Sequence, residues 1–190
     1  GVNIMKKIII YFGDQTDKQA VVEQVLNQLN ADYRILQDHE LGQRVGTLLG
    51  LDGFTQTPDT TNTHHSIDLM LFEEAADEDI LQLNTLLQAA GTEMKRKAML
   101  TEHNRHWRFH DLLTEIEREH TYFQMVDAIR TLLVQSSELI IEDYTPASWS
   151  AYEKAFYQAY DCINKECSLE EISTAYHALS DAKKQLQRNE

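Results

Sequence analysis

Residues 6–12 read KKIIIYF, a run of β-branched and aromatic side chains that ends at Gly13. Such a run is typical of a buried β-strand. Thr16 and Gln19 follow it in the spacing of a capping box, and apolar residues then recur at helical spacing over residues 21–29. The chain therefore passes from a strand directly into a helix, and the fold class depends on whether this order repeats.

The same strand-to-helix order recurs up to residue 120. A polar segment at 52–66, rich in Thr, Asn and Asp, is predicted to be the longest surface loop. Alternating strands and helices predict an α/β domain over residues 1–120: a small four-stranded β-α-β-α-β-α-β-α sheet with helices layered on it. The further strands are predicted at 31–36, 67–72 and 98–101, and the further helices at 41–49, from Asp77 to a stop at Gly91, and from Phe109 onward.

Beyond residue 120 the strand pattern disappears. Apolar residues at helical spacing continue over 123–133, and no glycine or proline separates them from Phe109. Thr145 followed by Pro146 is typical of a capped helix start, and the segment 168–171 has the spacing of a second capping box. Residues 121–190 are therefore predicted to form a second domain, a three-helix antiparallel bundle.

The chain is strongly acidic. It carries 17 basic and 31 acidic residues, a formal net charge of −14 at neutral pH, and such a charge repels nucleic acid and anionic lipid. No stretch approaches the roughly 20 apolar residues that span a bilayer, and the N-terminal apolar run is shorter than a secretory signal. We expect a cytoplasmic protein that binds neither nucleic acid nor membrane, with Cys162 and Cys167 reduced.

One segment resembles a known family. Residues 97–107 read KAMLTEHNRHW, and the pattern L-L-x-E-x-x-x-E-H follows at 112–120. Both patterns are similar to the hallmark of a bacterial domain-of-unknown-function family, number thirty-seven eighty-three. The resemblance is clearest from about Leu69 and extends more loosely toward the N-terminus, so it implies membership over about residues 6–120. It implies no activity.

A second resemblance covers about residues 122–188. The segment YTPASW at 144–149, the alanines that follow it in the same predicted helix, and SLEEI at 168–172 are similar to the FIVAR module (found in various architectures). The resemblance implies a three-helix module. Members mostly lie in tandem on bacterial surface proteins, so it also implies a carbohydrate- or host-protein-binding role as one alternative.

The predicted binding site is the loop between the fourth strand and the next helix. Such a loop lies at the carboxyl edge of an α/β sheet, where ligands bind and where the amides of a helix N-terminus point outward. Residues 95–108 contain five Lys or Arg side chains against Glu102 alone, which indicates an anion-friendly edge for a small anionic ligand or an acidic protein segment. In the alternative interpretation these side chains cap the helix and pair with acids. The site residues are Lys97, Thr101, Asn104, Arg105, Trp107 and Arg108.

Histidines are the remaining candidates for chemistry. His103, His106 and His110 have a spacing that would share one helix face and bind zinc, but no HExxH or CxxC accompanies them, so solvated or capping histidines are the better interpretation. His64 and His65 lie in the polar loop and are candidates for a pH-sensitive or metal-binding tip. We predict no catalytic residue, no metal and no cofactor.

Trp149 and Tyr152 begin an aromatic stripe on the second predicted helix of the bundle. Most of the stripe is expected in the core, but buried tyrosine hydroxyls need a polar partner or water. Part of the stripe is therefore predicted to reach the surface, where a small aromatic groove would suit a peptide or a sugar.

Together these features favour a non-enzymatic binding or adaptor protein, with an anion-friendly sheet edge and a helical protein-interaction module. Two alternatives stay open. An enzyme acting on a small anionic metabolite would use Asn104, His103 or His106 at the same edge. A module that binds carbohydrate or host protein would use the helical part.

Overall fold

The computed structural model describes residues 5–58 and 62–190 and has the predicted mixture of α and β structure. Within that part of the chain, four strands form one mixed sheet and six α-helices accompany them. Four short 3-10 helices lie between these elements. In chain order the elements are β1 (Ile8–Tyr11), α1 (Gln19–Gln28), β2 (Tyr33–Ile35), α2 (Val45–Leu48), β3 (Leu69–Phe72), α3 (Asp77–Ala89), β4 (Lys97–Met99), α4 (Phe109–Ser136), α5 (Pro146–Asn164) and α6 (Leu169–Lys184).

The sheet has the strand order β2-β1-β3-β4. The pairs β1/β2 and β3/β4 are parallel, whereas β1 and β3 are antiparallel, with Ile8 opposite Phe72 and Tyr11 opposite Leu69. Because of this reversal, the carboxyl ends of β1 and β2 meet at one edge of the sheet and those of β3 and β4 at the opposite edge. The carboxyl ends of parallel strands, where open α/β sheets bind ligands, therefore meet at two edges rather than one.

The two central strands are buried on both faces, which explains their uninterrupted apolar sequences. Helices α1 and α3 pack on one face of the sheet. The side chains that form this core come from alternate strand positions and from one stripe of each helix; they include Ile8, Ile10, Met70, Phe72, Val22, Val25, Leu26, Leu83 and Leu87.

Two helix predictions in this region were wrong in detail. Thr16 opens a 3-10 turn rather than capping α1, which begins at Gln19 without a side-chain cap. The helix predicted at 41–49 is only the single turn α2, because the backbone before it is paired with another segment: the Phe109 amide donates to the Gln43 carbonyl at 3.0 Å, and the Val45 amide donates to the Trp107 carbonyl at 2.9 Å. In the predicted loop 52–66, residues 59–61 lie outside the described residues.

The chain divides into two compact units, Gly1–Glu115 and Ile116–Glu190. The second unit contains most of α4, which is one unbroken helix, together with α5 and α6. Among the described residues, no helix combines the length and the apolar character needed to cross a bilayer.

The predicted helix starts in the second unit are present. Thr145 caps α5 by accepting a hydrogen bond from the Ser148 amide at 3.4 Å, and Ser168 caps α6 by accepting one from the Glu171 amide at 3.1 Å. The three helices share one apolar core, formed by Val126, Ile129, Tyr152, Ala155, Ala159, Ile172 and Leu179.

The prediction that both cysteines are reduced is wrong. Cys162 near the end of α5 and Cys167 just before α6 form a disulfide, with Cα atoms 5.5 Å apart. The connection between the helices is short enough to bring the two Cα atoms within disulfide reach. Disulfides persist mainly in oxidising compartments, so the cytoplasmic location stays a prediction.

Candidate functional site

The loop predicted to bind anions does follow the carboxyl ends of two parallel strands. The Leu100 amide donates to the Phe72 carbonyl at 2.9 Å, and the chain then turns into the short helix Asn104–His106. Lys97, however, begins β4, and its Nζ donates back to the carbonyl of Met94. Burial lowers the pKa of Lys97. Its ammonium group is therefore directed away from the loop it was predicted to join.

Three other cations of this segment, Lys95, Arg96 and Arg105, each form an ion pair with an acidic side chain. Lys95 pairs with Glu93 at 3.4 Å, and Arg105 pairs with Glu102 at 3.0 Å. Arg96 pairs at 3.0 Å with the buried carboxylate of Asp68, which also pairs with Lys18. The structure therefore does not gather these cations into the single positive island that the sequence suggested.

Thr101 and Asn104 are occupied in closing the turn. The Thr101 amide donates to Asn104 Oδ1 at 2.8 Å, and the Asn104 amide donates to Thr101 Oγ1 at 3.0 Å. Asn104 Nδ2 also donates to the Met99 carbonyl at 2.8 Å. Both side chains thus serve the loop conformation, as in the structural alternative.

Trp107 and Arg108 are the predicted site residues that remain together. They line a cavity of about 440 Å³ whose other side chains are Arg44, His106, Asp111 and Glu115. The Val45 amide donates to the Trp107 carbonyl at 2.9 Å and holds the two walls together. Two arginines face two carboxylates here, so the cavity is not strongly positive.

His103, His106 and His110, the candidate zinc ligands that the sequence disfavoured, each have different surroundings. His103 is exposed, the His106 ring packs on Phe54 with centroids 5.3 Å apart, and His110 Nδ1 lies 2.7 Å from Nε2 of the buried His65. Gly46 permits the Phe54 contact, because a Cβ there would lie 2.6 Å from the ring. In the part of the chain that the structure describes, no three His, Cys, Asp or Glu side chains are grouped to hold a metal ion.

A polar cleft of about 420 Å³, which the sequence analysis missed, lies at the carboxyl ends of β1 and β2. We call it the polar cleft. Its central group is the His64 imidazole, whose Nε2 lies 2.5 Å from Asp14 Oδ1 and whose Nδ1 lies 3.0 Å from Asp38 Oδ2. Tyr11 Oη donates to the other oxygen of Asp38 at 2.6 Å. The sequence signals were Asp14 directly after a strand and His64 in the polar loop.

The charges of the polar cleft stabilise one another. Hydrogen bonds to Asp14 and Asp38 raise the pKa of His64, and the hydrogen bond from Tyr11 lowers the pKa of Asp38. Burial raises the pKa of Tyr11, so the phenol stays protonated as a donor. Both ring nitrogens of His64 therefore lie within hydrogen-bond distance of a carboxylate.

The segment around His64 is also fixed through its backbone. Gly13 has φ +56°, and a Cβ there would lie 2.4 Å from the Ile67 carbonyl oxygen and 2.6 Å from that of Ser66. The Asp14 amide donates to the Ser66 carbonyl at 3.0 Å. Only glycine combines this φ with so close an approach. Gly13 therefore contacts the backbone of the same segment that carries His64, residues 64–67, which we call the strap.

A second recess, in the helical unit, is apolar. We call it the aromatic groove. It has a volume of about 530 Å³ and contains both predicted residues, Trp149 and Tyr152; the others are Leu133, Ser136, Ser137, Leu139, Ile141, Glu153, Phe156 and Tyr157. Tyr152 is 2% exposed and forms part of the floor, with its hydroxyl bonded to Ser136. Trp149 is half-buried and stacks on Tyr144 with centroids 6.0 Å apart.

The comparisons with known proteins reach one part of the chain. Residues 68–123 match the family described as Domain of unknown function (DUF3783). The match runs from β3 into α4 and contains the KAMLTEHNRHW segment, which confirms the predicted resemblance over these residues. No curated protein and no solved structure matches the chain. Because the family description assigns no activity, function has to be argued from the geometry of the sites.

Proposed function

We propose that this chain is a non-enzymatic adaptor protein whose helical unit binds a partner protein through the aromatic groove. The observation that carries the proposal is the groove itself. It joins a fixed aromatic floor to exposed apolar side chains, with Ile141 51% and Tyr157 56% exposed. Contiguous apolar surface of this kind marks protein-interaction sites, and aromatic anchors dominate binding energies there.

The proposal includes the finer arrangement of the helical unit as an antiparallel three-helix bundle similar to the FIVAR module. The shared core of α4, α5 and α6, the Thr145-Pro146 start of α5 and the Ser168 cap of α6 support it. Trp149, the last residue of the YTPASW segment, lines the groove. The module therefore contributes a binding surface as well as a folded unit.

The α/β unit is proposed to bind small polar or anionic ligands without converting them. Two residues that an enzyme would use at this edge are already engaged, which favours binding over catalysis. Asn104 is hydrogen-bonded within its own turn, and the His106 ring packs on Phe54. Trp107 and Arg108, next to Arg44, are the predicted site residues best placed to hold an anion. This cavity, lined by tryptophan and arginine, would give such a ligand stacking and charge together.

A photo-crosslinking experiment in the native cells tests the adaptor function. Benzoylphenylalanine replaces Tyr157 in the groove or, as a matched control, Phe123, which is 63% exposed on α4 outside the groove. We expect a discrete protein adduct from position 157, absent from position 123 and lost when Ile141→Ser is added. Equal adduct patterns at both positions, or no protein adduct at either, would contradict the proposal.

A further inference from the structure

We infer that the segment bound in the aromatic groove is a basic amphipathic peptide of the partner protein, with apolar anchors for the floor and Lys or Arg for the rim. This inference rests on the proposed adaptor function and adds the chemistry of the partner. Three properties of the groove support this inference: the position of its exposed apolar side chains, the hydrogen bonds already made by its hydroxyl groups, and the charge of the side chains around its rim.

The apolar surface is concentrated around the groove. Besides Ile141 and Tyr157, which line it, Val134 is 72% and Ile140 is 57% exposed, each adjacent in sequence to a lining residue. Tyr160, one turn beyond Phe156 on α5, is 50% exposed. An amphipathic segment that inserts a few apolar side chains would cover these groups, as a helix does when it binds in a groove.

Three hydroxyl groups of the floor, those of Ser136, Ser137 and Tyr152, are already engaged, which favours a peptide over a sugar. Ser136 Oγ donates to the Leu132 carbonyl at 2.8 Å and is bonded to the Tyr152 hydroxyl. Ser137 Oγ donates to the Val134 carbonyl at 2.8 Å. A carbohydrate would need convergent donors and acceptors, and these hydroxyls are engaged within the unit.

The rim is acidic. Residues 133–157 contain Glu138, Glu142, Asp143 and Glu153 against Lys154 alone, and none of these four carboxylates forms an ion pair with a described residue. Two cations from outside this segment lie against it: Lys183 Nζ donates to Gln135 Oε1 at 2.7 Å, and the Arg188 guanidinium lies 5.6 Å from the centre of the Tyr144 ring. With Lys154 they leave the acids in excess by one. A rim of this sign attracts basic side chains and steers their approach.

The same charge disfavours the other occupants. A second copy of this chain would bring two acidic rims together, and each copy carries a net charge of −14. An anionic membrane surface would be repelled for the same reason. A basic protein segment is therefore the occupant that matches both the apolar floor and the rim.

Two synthetic 14-residue peptides test the inference against the full chain. Both place Leu at helical spacing, and the remaining positions are Lys in one and Glu in the other. Isothermal titration at low ionic strength should give at least about tenfold tighter binding of the Lys peptide. The double variant Glu142→Lys, Glu153→Lys should remove that preference, and Ile141→Ser, Tyr157→Ser should weaken binding of the Lys peptide about tenfold or more.

The matched control is Asp52→Lys, Glu119→Lys, which changes the net charge equally at exposed positions outside the groove. It should alter the affinity for the Lys peptide by less than about twofold. Equal affinities of the two peptides, an equal loss in the control, or binding of neither peptide would overturn the inference. If the Tyr157 adduct still forms in any of these cases, the adaptor function stands without the basic partner; if it is absent as well, both fail.

Discussion

The two recesses of this molecule are built in opposite ways. In the polar cleft of the α/β unit, the charges of Asp14, Asp38 and His64 are paired with one another. In the aromatic groove of the helical unit, the serine and tyrosine hydroxyls of the floor form hydrogen bonds within the unit. The carboxylates of the rim form no ion pair with a described residue. A cluster of charged side chains can therefore serve to hold two segments of the chain together. The surface available to a partner is the one whose charged side chains are not paired within the chain.

The largest expected effect is at the strap of the polar cleft. Gly13→Ala combines a positive φ with a clash against backbone carbonyls, so it should lower the free energy of unfolding by about 3 kcal/mol or more. Gly50→Ala is the matched control, because Gly50 has φ +73° but open space around it, and it should cost about 1 kcal/mol. Urea unfolding of the three proteins measures both. Equal costs would mean that the strap is not packed against β1.

A smaller effect is expected at the floor of the aromatic groove. Tyr152→Phe removes the hydroxyl bonded to Ser136 from a buried position and should cost about 1 to 2 kcal/mol in unfolding free energy. Tyr157→Phe, at the exposed end of the same groove, should change it by less than about 0.5 kcal/mol. If thermal unfolding gives the same midpoint for both variants, the hydrogen bond between Tyr152 and Ser136 does not stabilise the floor of the groove.

The smallest effect is the pH dependence of the polar cleft. Because the pKa of His64 is raised in the folded state, its contribution to stability is complete below the unfolded value of about 6.5 and is lost as the pH rises through the folded pKa. Because the pKa of Asp38 is lowered, its contribution is lost as the pH falls through its folded pKa. The stability difference between the native chain and His64→Gln should therefore be larger at pH 6 than at pH 9. A difference that grows toward pH 9 would refute the imidazolium bridge.

The sequence predicted those features that depend on neighbouring residues. Thr145 with Pro146 and Ser168 with Glu171 lie within one helical turn, so the starts of α5 and α6 could be predicted. Gly91 ends α3 with φ +82°, as its position indicated. That Trp149 and Tyr152 lie near each other could also be predicted, because they have the spacing of one helix face.

The features that the sequence did not predict depend on remote partners. The cation cluster was expected from adjacency alone, but Arg96 pairs with Asp68, 28 residues earlier. Asp14, Asp38 and His64 meet only because β1 and β2 are parallel and the polar loop returns to their carboxyl ends. The antiparallel orientation of β3 relative to β1 could not be predicted. No local pattern in residues 52–66 fixes the direction in which the chain re-enters the sheet.

Backbone amide NMR of the full chain during titration with the Lys peptide tests whether the aromatic groove is the partner surface and the polar cleft holds only contacts within the chain. We expect chemical-shift changes centred on residues 133–157, with Asp14, Asp38 and His64 unmoved. Changes centred on the polar cleft, or spread evenly over both units, would contradict this expectation.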